Sequence, residues 1–176
     1  MLININMNYK NSFIILLFAL LSSLSACELT KNVSKPPPGV TRLKVNVTYI
    51  EVMDRNKDNE RWDVGLSDED MAPDLYYTVS IDREQRYKSS ISKNKYITQW
   101  LEKSDFIDVP QGSKIVFTFY DDDFSMVRTG VLSNPDDFVG VLELNLEQLI
   151  KASQEGKEFK FDRVQKCRIA ISNMMQ

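Results

Sequence analysis

After residue 40 the chain alternates apolar and polar positions again and again. Leu43, Val45, Val47 and Tyr49 fall on one face of an extended segment, the period of a half-buried strand. Beyond Tyr49 the apolar positions move to Ile50 and Val52, and a change of phase inside a strand predicts a bulge. Leu75, Tyr77, Val79 and Ile81 repeat the alternation. Segments 114–120, 138–144 and 168–171 read the same way, with shorter strands expected near 87–91, 106–109 and 159–161. Many short strands separated by polar loops predict an all-β fold, an eight-stranded antiparallel sandwich. One stretch has helical spacing instead: Asn145 as N-cap, Gln148 in capping-box position, and Leu146, Leu149 and Ile150 on one face, ending near Gly156.

The first 26 residues follow a different pattern. Lys10 precedes an unbroken apolar run, 13–21, and small residues follow, the layout of a secretory signal rather than of a membrane span. Leu24-Ser25-Ala26-Cys27 resembles the bacterial lipobox, which implies diacylation of Cys27 as the first mature residue and anchoring in the cell envelope, in either membrane. Pro36, Pro37 and Pro38 favour an extended polyproline conformation, so 27–40 reads as a tether and 41–173 as the sandwich domain. If Cys27 carries lipid, Cys167 has no partner for a disulfide. On a strand with Ile169 and Ile171 it is expected to be a small core residue.

Composition then narrows the function. The chain has 22 basic residues against 25 acidic ones, a net charge of −3, without the basic footprint of a nucleic-acid binder. It has no histidine, which excludes Ser-His and Cys-His catalysis and imidazole-bound zinc. A glycosidase would set two carboxylates across a substrate cleft. Here the acids bunch at loop ends without an aromatic platform beside them, so no enzymatic activity is expected.

Those acids are the chemistry left to explain. Asp121, Asp122 and Asp123 stand in a row directly after an apolar strand, Asp136 and Asp137 directly before the next, and Asp68, Asp70 and Asp74 precede the strand that starts at Leu75. Aspartate is common in turns and caps, where it accepts hydrogen bonds from backbone amides. The alternative is a shared hard cation: calcium takes six to eight oxygen ligands from Asp, Glu and backbone carbonyls. The residues by themselves leave both readings open.

Order and spacing add a resemblance. Asp68 stands six positions before Asp74 in Ala-Pro-Asp74-Leu-Tyr-Tyr77; Asp121-Asp-Asp123 is followed, after a gap, by Asp137-Phe-Val-Gly140; Trp100 lies mid-domain. The stretch from about residue 41 to 172 resembles the C2 domain, a β-sandwich that docks on phospholipid membranes, often through calcium. The resemblance implies calcium as cofactor, with Asp68, Asp74, Asp121, Asp123 and Asp137 as carboxylate ligands and the backbone carbonyl of Asp122 as a further oxygen. The thirteen residues between Asp123 and Asp137 exceed the family's usual gap. They include Phe124, Met126, Val127 and Arg128, which the resemblance implies as a tip that contacts phospholipid headgroups or an envelope protein partner. The basic stretch with Arg83, Arg86, Lys88, Lys93 and Lys95 is expected to be mainly a solvated face. The function expected is therefore that of a lipid-anchored binding module using calcium. The alternative is a calcium-independent scaffold lipoprotein of an envelope or secretion complex.

Overall fold

The computed structural model describes residues 34–63, 66–68, 70–122 and 136–176. The expected signal peptide, the lipidated Cys27, and Asp123, Phe124, Met126, Val127 and Arg128 lie outside them. In chain order the described elements are β1 (Val40–Val52), β2 (Leu75–Ile81), β3 (Glu84–Lys88), β4 (Ile97–Thr98), β5 (Ile107–Pro110), β6 (Lys114–Asp121), β7 (Asp137–Asn145), α1 (Leu146–Glu155), β8 (Glu158–Phe161) and β9 (Val164–Met175).

They form two antiparallel sheets. One runs β3-β2-β6-β7; in the other, β1 has β9 and then β8 on one side and both β4 and β5 on the opposite side. β4 pairs with the end of β1 and β5 with its start, so the two are pieces of one interrupted edge strand. Each sheet thus has four strand positions, which is the eight-stranded sandwich expected from the alternation.

The alternation decides what is inside. Leu43, Val45 and Val47 of β1, then Ile50 and Val52, are buried, and the β1–β9 register shifts between Val47 and Tyr49. The bulge expected just after Tyr49 is therefore real and sits on its N-terminal side, turning Ile50 back into the core. From the facing sheet come Leu75, Tyr77, Val79, Ile115, Phe117 and Phe119, all 0–1 % exposed. Each such side chain contributes roughly 1.5–3 kcal/mol through burial. Trp100 packs edge-on against Tyr77 with ring centroids 4.9 Å apart, tying the edge strand to the centre. Cys167 is fully buried and desolvation pushes its thiol well up, as expected of a core residue. At Gly140 a Cβ would meet the Phe161 ring at 3.1 Å, so any side chain there would press on the end of β8.

α1 has the predicted ends. Asn145 Oδ1 accepts from the Gln148 amide at 2.8 Å and Gln148 Oε1 accepts from the Asn145 amide at 2.9 Å, the reciprocal capping box. Gly156 adopts φ 61° and donates its N–H to Ala152 O, closing the helix. All buried apolar residues and all strand pairings described belong to the unit Lys35–Gln176, which therefore has a complete core of its own.

Candidate functional site

Strand register brings the acids together. β2 begins with Leu75 opposite Asp121, the last residue of β6, and Asp121 in turn lies opposite Asp137, the first residue of β7. Three neighbouring strands so end at one level, and Asp74, Asp121, Asp122, Asp136 and Asp137 gather at one end of the sandwich. The Asp122 amide donates to Asp74 O at 2.9 Å, which fixes the two chain ends side by side.

Several of these carboxylates hold the end together. Asp121 is 0 % exposed and its Oδ1 accepts from the Asp74 amide at 2.6 Å. Asp74 Oδ1 accepts from the Asn94 amide at 2.7 Å, joining the loop before β2 to the loop before β4. Asp136 Oδ2 accepts from the Tyr76 hydroxyl at 2.6 Å, and the Tyr76 phenol is pushed up, chiefly by burial and then by that carboxylate. Asp137 Oδ2 accepts from Asn56 Nδ2 at 3.2 Å. Asn56 is itself buried, and its Oδ1 accepts from the Asp58 and Glu60 amides at 3.0 Å, which shapes the start of the long β1–β2 loop. Arg163 secures the same loop from the β8–β9 turn, donating to Lys57 O at 3.1 Å.

One member escaped the sequence reading. Asp63 is half-buried, and its carboxyl is pushed above the usual range first by burial and then by the negative charges of Asp74 and Asp137. The available signal was its neighbour: Trp62 is 4 % exposed and donates Nε1–H to Met53 O at 2.8 Å, anchoring this part of the loop inward. Asp68, the first-loop acid singled out by spacing, behaves differently. Its side chain is 84 % exposed and lies 3.6 Å from Arg61. The fold thus brings together Asp74, Asp121, Asp122 and Asp137 of the predicted set, leaves Asp68 on the loop surface, and adds Asp63.

The donor chemistry suits a hard cation: Asp74 and Asp137, from two other stretches, lie near enough to raise the Asp63 carboxyl, and among the described residues no ion pair involves Asp63, Asp74 or Asp137. The cradle is not closed, however. Among the described residues no three acids stand close enough to hold one ion. A groove of about 1110 Å³ lies elsewhere, between Pro36–Pro38, the β5–β6 turn and the start of α1.

The basic stretch is solvated as expected: Arg83, Arg86, Lys88, Lys93 and Lys95 are all exposed. Arg86 pairs with Glu84 at 2.7 Å, and Lys88 Nζ sits 3.7 Å above the Tyr76 ring, whose other neighbour is Tyr120, stacked at 5.2 Å.

Two sheets of this order with acids at one loop end define a C2-type sandwich. The C2 domain family model matches residues 41–161, more than half of the chain, and the chain belongs to that family. Members of the family make contact with phospholipid membranes or partner proteins. Among solved structures, the chain is similar to human GIVD cytosolic phospholipase A2 at 13 % identity and TM-score 0.51, covering 80 % of this chain and 18 % of that one. It is similar to an Extended-Synaptotagmin 2 fragment with SMP and two C2 domains at 13 % identity and TM-score 0.49, covering 88 % of this chain and 31 % of that one. A single C2 domain of plant Extended Synaptotagmin 1 matches at 15 % identity and TM-score 0.49, with 81 % of this chain and 100 % of that one. This chain therefore spans less than a third of the first two proteins. No curated protein sequence matches it.

Proposed function

We propose that the protein is a lipid-anchored envelope module whose C2 domain contacts a membrane surface or a partner protein through its acidic loop end, with calcium bridging the contact. The observation that carries the reading is Asp63: a carboxyl held up by burial and by Asp74 and Asp137, with no described cation to offset the three charges. Calcium would relieve that repulsion and offer its remaining coordination positions to phosphate or carboxylate oxygens of the target. Asp63, Asp74 and Asp137 would supply carboxylates once the loops draw together around the ion. Asp121 positions Asp74 through the latter's amide, and Asp123 with the Asp122 carbonyl supplies the third-loop oxygens, as the resemblance implies. Cys27 provides the lipid, so the loop contact sets the orientation of a domain that is already tethered.

The test is co-sedimentation of the unit Lys35–Gln176 with mixed phosphatidylglycerol–phosphatidylcholine vesicles. Calcium should increase the bound fraction over chelator, magnesium should fail to replace it, and Asp74→Asn with Asp137→Asn should remove the increase. Identical binding with calcium and chelator would contradict the proposal. A second reading, a calcium-independent scaffold, is favoured by the hydrogen bonds that Asp74, Asp121, Asp136 and Asp137 already accept. It predicts that these substitutions leave partner binding intact.

A further inference from the structure

The residues just ahead of β1 are seated on the sandwich. Pro36 is buried, the Val40 amide donates to Pro37 O at 3.1 Å, and the Gln111 amide donates to Gly39 O at 2.8 Å. Gly39 adopts φ 77°, which turns the chain into β1. Residues 35–39 thus form a strap against the β5–β6 turn. A groove runs along each side of it: the one of about 1110 Å³ toward α1, and one of about 610 Å³ toward Ile81, Phe106 and Ile107, with Pro37 and Val40 lining both. Two backbone hydrogen bonds and one buried proline hold the strap, so it can come away locally while the core stays closed.

The strap lies at the end of the sandwich opposite the acids. β1 starts beside it at Val40 and ends at Val52, from which the chain runs into the loop with Asp63 and Asp74. β6 likewise starts at the β5–β6 turn and ends at Asp121. The 13 residues of β1 set the two ends about 40 Å apart at roughly 3.3 Å per residue. Turning the acidic end squarely onto a membrane that holds Cys27 requires the chain to climb that distance. With the strap seated, the eight steps from Cys27 to Lys35 reach at most about 29 Å. With the strap released, the thirteen steps from Cys27 to Val40 reach about 47 Å. Lying on its side, the domain would present sheet edges to that bilayer rather than the loop end.

The length of the sandwich falls between those two reaches. We propose that the 35–39 strap decides which surface the acidic end meets. Seated, it keeps that end off the anchoring membrane and turned toward a surface in trans; released, it lets the same end fold back onto the membrane that carries Cys27. The proposal rests on the lipid-anchored reading given above and adds to it the direction in which the loop contact is made.

Neutron reflectometry tests this on the chain from Cys27 onward, coupled through that thiol to maleimide lipid in a supported phosphatidylglycerol–phosphatidylcholine bilayer. Cys167 is fully buried and does not compete for coupling. In calcium as in chelator, the far edge of the domain should stand about 40 Å or more above the headgroups. Pro36→Gly with Pro37→Gly and Pro38→Gly should release the strap while far-UV circular dichroism shows the fold kept. That domain should then drop by more than about 10 Å in calcium but not in chelator. Inserting Gly-Ser-Gly-Ser-Gly between Glu28 and Leu29 adds the same reach with the strap seated and should give the same drop. An unaltered chain that drops in calcium would overturn the proposal. So would variants that stand as high as the unaltered chain while the free unit Lys35–Gln176 binds the same lipids with calcium. A free unit that ignores calcium counts instead against the calcium reading, and the strap is then judged by hydrogen exchange at the Val40 and Gln111 amides. Protection there upholds it, and exchange at the rate of an open chain overturns it.

Discussion

Aspartates stand at both ends of β6, and their surroundings push them in opposite directions. At the start of β6, Asp82 accepts from the Ser113 hydroxyl at 2.6 Å and the Lys114 amide at 3.0 Å, and its carboxyl is held below the usual range by those two bonds. Nearby at the start of β1, Arg42 grips both oxygens of Asp108, which is lowered by that hydrogen bond first. At the far end of β6, beyond Asp121, Asp63 is raised by burial and by two further acids. An aspartate in a loop is therefore not informative by itself. What distinguishes the two ends is whether donors or other carboxylates face it.

The largest effect expected from this contrast is structural. Asp121→Ala leaves the Asp74 amide without its buried acceptor and should lower the stability of the unit by about 1.5–3 kcal/mol in urea unfolding; Asp82→Ala, on an exposed turn, should lower it less. A loss of similar size at both ends would break the comparison.

Charge removal should move the two ends in opposite directions. In chelator at neutral pH, Asp63→Asn should raise the melting temperature, because it removes a charge that burial and Asp74 and Asp137 disfavour. Asp108→Asn should lower it by removing the negative charge and one of the two oxygens that Arg42 holds.

The same contrast has a pH signature. Asp82 and Asp108 have folded pKa values below their unfolded ones, so the stability they contribute is present above the unfolded carboxylate range and is lost as pH falls through the folded values. Asp63 is the reverse: its cost is present at neutral pH and is relieved as pH falls through its raised pKa. The gain from Asp63→Asn and the loss from Asp108→Asn should therefore both disappear in acid, as melting curves across pH will check. The smallest effect belongs to Asp68→Asn. With its side chain 84 % exposed, stability should change by no more than about 0.5 kcal/mol.

Much of this was legible in the sequence because period-2 alternation depends on neighbours alone. β2 with its four inward residues, the β1 bulge, the Asn145–Gln148 cap and the Gly156 stop all follow from local rules. β4 did not show: two residues, Ile97 and Thr98, carry no period, and the strand exists only because β1 offers an edge there. The acids divide along the same line. Asp74, Asp121 and Asp137 sit at strand ends, so register places them and spacing finds them. Asp63 and Asp68 lie in the long β1–β2 loop, where spacing has no hold. There Trp62 and Asn56, both buried, fix the path of the chain.

The central claim, that the far end of the sandwich carries carboxylates awaiting a cation, is tested most directly by the melting temperature of the unit Lys35–Gln176 in chelator, in magnesium and across a calcium titration. The account predicts a midpoint that rises with calcium concentration by linkage, stays near the chelator value in magnesium, and no longer responds to calcium in Asp74→Asn with Asp137→Asn. A midpoint indifferent to calcium in the unaltered protein would contradict it and leave the acids at that end as ties between loops.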